Sequence, residues 1–583
     1  MPVGHLIRDT AFGQIVRLIT KNRVFQYPEE QDPEYWKKYL NEEKSGYIAH
    51  HGHTEPPDDD SQETLQNARG VRTRDEHPQE RGDSRDSTQT DTTFTDGTYN
   101  EASGVRVDQE KGRDKNVIDW YGPNDPENPK NWSTPKKFFV TGEIVFLTFS
   151  IYIGSAIYTP GLMGVMQTFG VSQVAATLGL TLFVAGYGFG PLLWSPMSEI
   201  PQFGRNPIYI ATLLVFVLFQ IPTALATNFG MLLAFRFLTG FFGSPALATG
   251  GATIADMYKP SKQAYGLSIW GIGAVCGPCL GPLVGGFAAQ AEGWTWTIWE
   301  LMWLSGFCWV FLFFLLPETS SANILYRRTQ RLRKLTGNDK LICEPELMAE
   351  QMTGKDIVQM TLVRPISLTF TEPMVFFLNL YIALIYGLLY IWFESFPLIF
   401  VELYGFNLGQ EGLAFLGILV GALIAMVCLF AYLHFYQEKQ FNSNGEIKPE
   451  IRLQPAMIGS FFVPICLFWF GWSSRSDIHW IVPIIGSSMF GIAAFLLFQA
   501  VLPYLSDAYP AYTASVFAGN DLFRSAFGAG FPLFANAMYV NLGINWASSL
   551  LAFLGIAFIP IPFVLYKYGE RLRKRSKHAK KDF

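Results

Sequence analysis

Beyond residue 137 the chain is dominated by apolar stretches, each long enough to cross ~30 Å of hydrocarbon as a helix. About six of them lie near 138–159, 174–194, 207–226, 230–253, 265–287 and 296–316. A polar stretch of several dozen residues follows, and six more lie near 373–397, 412–433, 455–472, 480–503, 513–539 and 546–566. With 49% hydrophobic and only 16% charged residues, the 583-residue chain does not read as a string of soluble domains. The expected fold is an all-α membrane protein with twelve transmembrane helices in two six-helix halves. The expected boundaries are 138–316 and 373–566 for the halves, 317–372 for a central loop and 567–583 for a basic tail.

Lysine and arginine in the short loops set the orientation. Lys136, Lys137, Arg205, Lys259, Lys262, the 327–334 cluster, Lys439, Arg452 and Arg571 fall on one side, and only Arg475 on the other. Both termini are therefore expected in the cytoplasm, as an even number of spans requires. Residues 1–137 read as a cytoplasmic region, rich in charged and polar residues from about 30 to 117 and expected to be disordered there. Residues 5–23 interleave Leu6, Ile7, Phe12, Ile15, Val16 and Ile19 with basic residues, as an amphipathic helix on the inner leaflet or a docking helix would. The central YRRTQRLRK is placed against anionic headgroups. No cleavable signal is expected ahead of the first span, because an internal span can serve as the targeting signal. The net charge of −5 averages an acidic tail with basic loops, and says nothing useful about partners. The six cysteines fall mostly in apolar runs, so neither a disulfide framework nor a metal site is expected, even at the CxxC spacing of Cys276 and Cys279.

No GxxxxGK[ST] loop, HExxH or GxSxG elbow occurs, so the chain is not expected to be an enzyme. Uphill work must then draw on an ion gradient, with no other cofactor. In GIGAVCGPCLGPLVGG, Gly273, Gly277, Gly281 and Gly285 return to one helix face and form a groove for a neighbouring backbone, with Pro278, Pro282 and Gly286 in the same run. GPLLWSPMSEIPQFGRNP places Glu199 five residues before Gly204 and Arg205, between the second and third spans. It reads either as a conformational latch or as an ordinary turn with a surface ion pair. Arg236, about one and a half turns into the fourth span, is expensive at such depth and is expected to face the bundle interior, unless it snorkels outward. Because arginine keeps its proton, its coupling role would be to hold or repel a nearby carboxylate or substrate. Glu394 shares a face with Tyr386 and Tyr390, while Asp521 and Arg524 are spaced to pair, a structural arrangement more than a coupling one. Asp256, at the cytosolic end of the fourth span, reads as a cap or gate. Tyr386, Tyr390 and Phe393, with Asn520, Asp521 and Phe523, are assigned to a substrate cavity whose aromatic content suits planar lipophilic molecules.

These stretches, together with HLIRDTAFG, DWYGPNDPENPKNWS, SIYIGSAIYTPG, RFLTGFFGSPALATGG, LPETSSANILYRRTQRLRK and ASVFAGNDLFRSAFGAGFPLF, resemble fungal multidrug-resistance transporters of the major facilitator superfamily. The type is that of the benomyl, methotrexate and fluconazole resistance proteins, within the twelve-span drug:proton antiporters. The likeness runs nearly end to end, apart from about 40–115. It departs at Trp294-Thr295-Trp296, where the family usually has arginine between the tryptophans. The resemblance implies a plasma-membrane exporter, functional as a monomer, that exchanges azoles, cycloheximide, benomyl or similar toxicants for protons. Its partners would be small lipophilic drugs, protons and the bilayer, with no nucleic acid. It also implies that Arg236 serves proton coupling, with which Asp256 and Glu394 are grouped as candidate carboxylates, that the 273–286 run is the antiporter motif, and that Glu199 caps a helix of the other half, with Arg205 pairing nearby. Export of a native metabolite such as a polyamine, siderophore or fungal toxin is the alternative within transport, and a non-transporting membrane sensor the one outside it.

Overall fold

The computed structural model describes residues 3–37, 39, 107–108, 113–114, 116–350, 354–442 and 446–581. Among them, eleven helices are long and apolar enough to cross a membrane. The helix Thr513–Leu542 completes a set of twelve, and its lower apolarity comes from Asn520, Asp521, Arg524 and Ser525 on its buried face. The other spans are Thr134–Ala156, Gln173–Glu199, Asn206–Ala224, Phe229–Gly243 continued by Gly250–Met257, Pro260–Glu292 and Trp294–Leu315 in the first half. In the second half they are Pro373–Phe396, Leu416–Tyr432, Gln454–Ser473, Ile481–Ala508 and Ile544–Phe558. Local signals start several of them: the Ser172 hydroxyl and the Asn228 carboxamide oxygen accept the N–H of Ala175 and Met231, capping the second and fourth spans.

Small residues decide how the spans meet. The glycine stripe of the fifth span is filled by the first span. A methyl at Gly273 would strike Val145, at Gly277 the Tyr152–Ile153 backbone, at Gly281 Ala156 and Ile157, and at Gly285 Ile157. The next residue, Gly286, faces Leu408 of the second half, while Gly412 faces Pro282 and Leu283. The fifth span therefore joins both halves. The second span makes the other junction: Gly188 lies against Ser525, and the Thr181 hydroxyl donates to the Ala529 carbonyl at 2.9 Å.

The segments outside the spans depart from expectation in four ways. Residues 5–23 form not one helix but two, Val3–Arg8 and Ala11–Ile19, because the Thr10 hydroxyl caps the second by accepting from the Gly13 N–H at 3.1 Å. Phe12 packs on Phe313 and Phe314 at the end of the sixth span, and Ile15, Leu18 and Ile19 stay exposed beside it. Second, regular structure is present within the stretch expected to be disordered, in Pro28–Gln31 and Glu34–Lys37 and in the strand pair Val107–Asp108 with Arg113–Asp114; residues 40–106 lie outside the described residues.

Third, three of the central-loop arginines, Arg328, Arg331 and Arg333, are tied to acids of the chain and not left free for headgroups. Arg328, on the helix Ser321–Thr336, is fully buried and donates to Asp125 and Glu127, each at 2.8 Å. Arg331 donates to Glu29 at 2.7 Å with Tyr27 under its guanidinium, and Arg333 holds Glu346. Arg8 reaches Glu127 at 3.3 Å, and Val117–Ile118 pairs in parallel with Ile342–Cys343. Three of the five basic residues in the run therefore find carboxylates of their own chain, and the N-terminal segment becomes a brace on the central loop. Fourth, the last helix runs on to Arg575, beyond the expected start of the tail at 567, with Arg573 buried on Glu450.

Candidate functional site

At the centre of the bundle, between the halves, lies a cavity of about 80 Å³. Pro278 and Cys279 of the glycine-rich fifth span form part of its wall, opposite Phe490, Phe495 and Phe498 of the tenth. Its polar side chains are few: Tyr152, Trp270, Cys279, Tyr386, Gln499 and Arg524. Drug-sized ligands occupy pockets of roughly 300–1,000 Å³, so this chamber is too small for one as it stands and must widen to admit it.

Beside the chamber runs a chain of hydroxyls joining three spans. Tyr187 of the second span bonds to Tyr386 of the seventh and shares a 2.8 Å hydrogen bond with Tyr390, which donates to Ser155 of the first at 2.9 Å. Each hydroxyl can donate or accept, so the chain can be rewired without orphaning a buried group. It crosses between the halves, and any rocking motion of one half on the other must break it. Among the described residues, Arg524 carries the only positive charge in the chamber wall; it is tied to Asp521, and its guanidinium stands 5.3 Å from the Tyr386 ring. One Asp521 oxygen, Oδ2, is buried without a partner.

Of the residues assigned to the cavity by sequence, Tyr386 lines the chamber and the others do not. Tyr390 is one hydroxyl away, in the network. Phe393 packs on Tyr390 and Phe415. Asn520 donates to Asn379 at 2.9 Å, an amide contact between the seventh and eleventh spans. Asp521 stands behind Arg524, and Phe523 turns to a ring cluster with Phe370 and Phe376. The helical period explains these departures: 520, 521, 523 and 524 cannot all share one face.

Arg236 is fully buried, as its depth demands, and does not snorkel. Its partners are not carboxylates: Nε donates to the Gly179 carbonyl at 2.9 Å and Nη1 to the Gly154 carbonyl at 3.0 Å. The Phe183 and Tyr158 rings lie 4.4 and 4.7 Å from its guanidinium carbon. Among the described residues no acid lies within ion-pair distance of it, so the three residues grouped for coupling are not brought together. Arg236 knits the first, second and fourth spans. Glu394 instead joins the halves, accepting from Thr177 Oγ1 at 3.1 Å and Gln173 Nε2 at 3.2 Å of the second span. Glu411, on the short helix Leu408–Ala414 that leads into the eighth span, is buried as well and went unnoticed in the sequence.

Around the Glu199 loop, Arg205 donates from Nε to Asp256 at 3.1 Å and from Nη1 to the Ser198 hydroxyl at 2.8 Å. Burial works against the Arg205 charge, yet Asp256 and Glu199 hold its pKa above the usual arginine value. Gly204, with φ of +77°, makes the turn that lets this happen, and Glu318 stands where its Cβ would be. The helix cap here was missed in the sequence. Glu318, just after the sixth span, accepts the backbone N–H of Arg205 at 3.1 Å and of Asn206 at 3.2 Å, at the start of the third span. Glu318 N–H in turn donates to the Asp9 carbonyl at 3.0 Å, so the N-terminal brace reaches the loop. Glu199 faces a cavity of about 140 Å³ shared with Asp256, Arg452, Asp507 and Thr513, the last opening the eleventh span of the other half.

Comparison with known proteins agrees with this arrangement. The family model described as Major Facilitator Superfamily matches residues 144–532. The chain is 47% identical over 469 residues to "Transporter mfs1" of Schizosaccharomyces pombe, covering 79% of this chain and 88% of that protein. It is 42% identical over 487 residues to "Fluconazole resistance protein 1" of Saccharomyces cerevisiae, covering 83% and 88%. To the "Cycloheximide resistance protein" of Candida maltosa it is 40% identical over 489 residues, covering 82% and 89%. Among solved structures, the human organic anion transporter MFSD10 matches at a TM-score of 0.52 with 15% identity, over 74% of this chain and 100% of that one, a likeness of fold alone. The chain belongs to the major facilitator superfamily, and within it to the fungal multidrug-resistance transporters.

Proposed function

We propose that the protein exports lipophilic toxicants, azoles such as fluconazole and compounds such as cycloheximide or benomyl among them, across the plasma membrane in exchange for protons. The observation that carries this reading is the small aromatic chamber between the halves, walled on one side by the glycine-rich fifth span and supplied with one arginine. Planar apolar substrates would find ring faces there and few polar groups demanding partners. The names of the relatives support the substrate class.

In this reading Glu394 carries the proton. Ionised, it accepts hydrogen bonds from Thr177 and Gln173 and holds the halves together at that end of the bundle; protonated, it loses acceptor capacity and the junction loosens. The Asp521–Arg524 pair lies at the chamber, where an incoming substrate would alter its solvation. Arg205, Asp256 and Glu199 form a breakable latch at the opposite end, on the side of the cytoplasmic termini. One proton moving inward down ~100 mV supplies about 2.3 kcal/mol and each pH unit ~1.4. Together these sustain a several-hundredfold gradient of a neutral drug. A monomer suffices, since both halves come from one chain, and the proton gradient is the only energy source required.

The test is efflux of radiolabelled fluconazole from azole-sensitive yeast producing the chain, with and without a protonophore, beside Glu394→Gln at equal surface level. Protonophore-sensitive efflux that Glu394→Gln abolishes is the expected result. Efflux indifferent to the protonophore would overturn proton coupling, and no efflux from correctly located protein would overturn drug export.

A further inference from the structure

Away from the central chamber, a second hollow of about 500 Å³ opens on the lipid-facing side of the first half. Phe149 and Ile153 of the first span, Val284 of the fifth, and Trp296, Glu300 and Trp303 of the sixth form its wall. The remaining lining side chains are aliphatic, and none is basic. The hollow lies at the end of the bundle remote from the termini. Glu300 sits six residues into the helix Trp294–Leu315, roughly 9 Å below its start.

A carboxylate here is anomalous. An acid within a span is ordinarily paired, or faces the bundle interior or water. Among the described residues Glu300 forms no ion pair, and its Oε2 is buried without a hydrogen-bond partner. Two largely exposed tryptophans flank it, Trp296 at 44% and Trp303 at 68%. Indole faces attract ammonium cations, and a cage of aromatic rings with one acid is the chemistry that holds a quaternary ammonium group. The aliphatic part of the wall would take an alkyl chain. A zwitterionic phospholipid fits less well, because no lysine or arginine lines the hollow to receive its phosphate.

We propose that this hollow is a binding site for a monocationic amphiphile, an alkylammonium that partitions into the bilayer, with its nitrogen at Glu300 between Trp296 and Trp303. An occupant would touch Ile153 and Ile157, whose backbone turns seat on Gly277, Gly281 and Gly285 of the fifth span. The site is separate from the central chamber and does not depend on which drugs the chamber takes.

The experiment uses the full chain in neutral maltoside micelles and tritiated dodecyltrimethylammonium as probe, with a diazirine-bearing analogue for cross-linking. The wild type should bind the probe, Glu300→Gln should weaken binding at least tenfold, and Glu300→Asp should keep it within about threefold. Cross-links should map to peptides spanning 149–157 and 296–304, and dodecylphosphocholine should compete at least tenfold more weakly. Unchanged affinity in Glu300→Gln, or labelling confined to other spans, overturns the proposal. Equal competition by the phosphocholine overturns the choice of a monocation and makes a lipid headgroup the occupant. Should Glu300→Gln fail to fold, the Asp variant and the cross-link map still decide.

Discussion

Replacing Arg328 by alanine tests whether the N-terminal segment is a docked part of the transporter. The Arg328 side chain is fully buried, donates to Asp125 and Glu127, and lies 4.2 Å from the Tyr121 ring. Removing one partner of a buried pair costs about 3–5 kcal/mol, because the remaining charge is left uncompensated. Two features place this case at the low end. Asp125 still accepts the backbone N–H of Tyr121 at 3.0 Å and of Glu127 at 2.9 Å, and Glu127 still has Arg8 at 3.3 Å and Arg331 at 3.7 Å. About 3 kcal/mol corresponds to a shift of roughly 150-fold in the docking equilibrium. Hydrogen exchange on the purified full chain reads this directly, since local opening governs exchange in such segments. Peptides covering 7–31 and 118–127 should exchange about two orders of magnitude faster in Arg328→Ala, while peptides from the spans stay unchanged. Arg328→Lys should recover only part of the protection, because a single compact ammonium lacks the planar fork whose separate nitrogens reach Asp125 and Glu127. Exchange within threefold of wild type in those peptides would refute the buried-cluster reasoning.

Acid should release the same brace. Burial raises the Asp9 and Asp125 carboxyls, but Arg8 with the Tyr27 hydroxyl, and Arg328 with two backbone N–H groups, bring them net below the ordinary aspartate value of 3.8. Groups depressed in this way stabilise the docked form above their unfolded pKa and lose that contribution as pH falls through the folded values, so proteolysis of the N-terminal segment should rise only below about pH 4. Glu127, raised by burial, works in the opposite sense and offsets part of this acid sensitivity. Substituting valine at Gly281 drives a side chain into Ala156 and the Ile157 backbone; a loss of about 1–3 kcal/mol is expected, measured as a lower thermal midpoint, and an unchanged midpoint would contradict the packing of the first span in the stripe. In Arg236→Met the carbonyls of Gly154 and Gly179 lose their side-chain donor, at about 1–3 kcal/mol for each left unsatisfied. The thermal midpoint should therefore fall together with efflux, whereas normal stability with lost efflux would restore a coupling role for that arginine.

Much of this architecture was legible because its signals are local. Span length and apolarity belong to single segments, and four-residue glycine spacing marks a helix face without reference to its neighbour. The buried Arg236 was also readable, since a cation at that depth must turn inward. Its partners were not: the carbonyls it holds are 57 and 82 residues away, and backbone carbonyls carry no residue-type signal. Glu318 was missed for a related reason. A carboxylate after a span reads as a boundary residue until the turn at Gly204 brings the third span's N-terminus to it.

By itself the sequence determined twelve helices, their division into two sets of six, the glycine groove and the acid–glycine–arginine loop, because hydrophobic length, helical period and backbone freedom are encoded within a few turns. Only the tertiary structure decided which charges neutralise one another. The basic run of the central loop was free, as far as composition went, to face headgroups, yet Asp125, Glu127 and Glu29 reach it from about 200 and 300 residues earlier. Pairing there removes each charge from water only where the opposite charge is already in place, and that condition belongs to the folded chain and not to any segment of it.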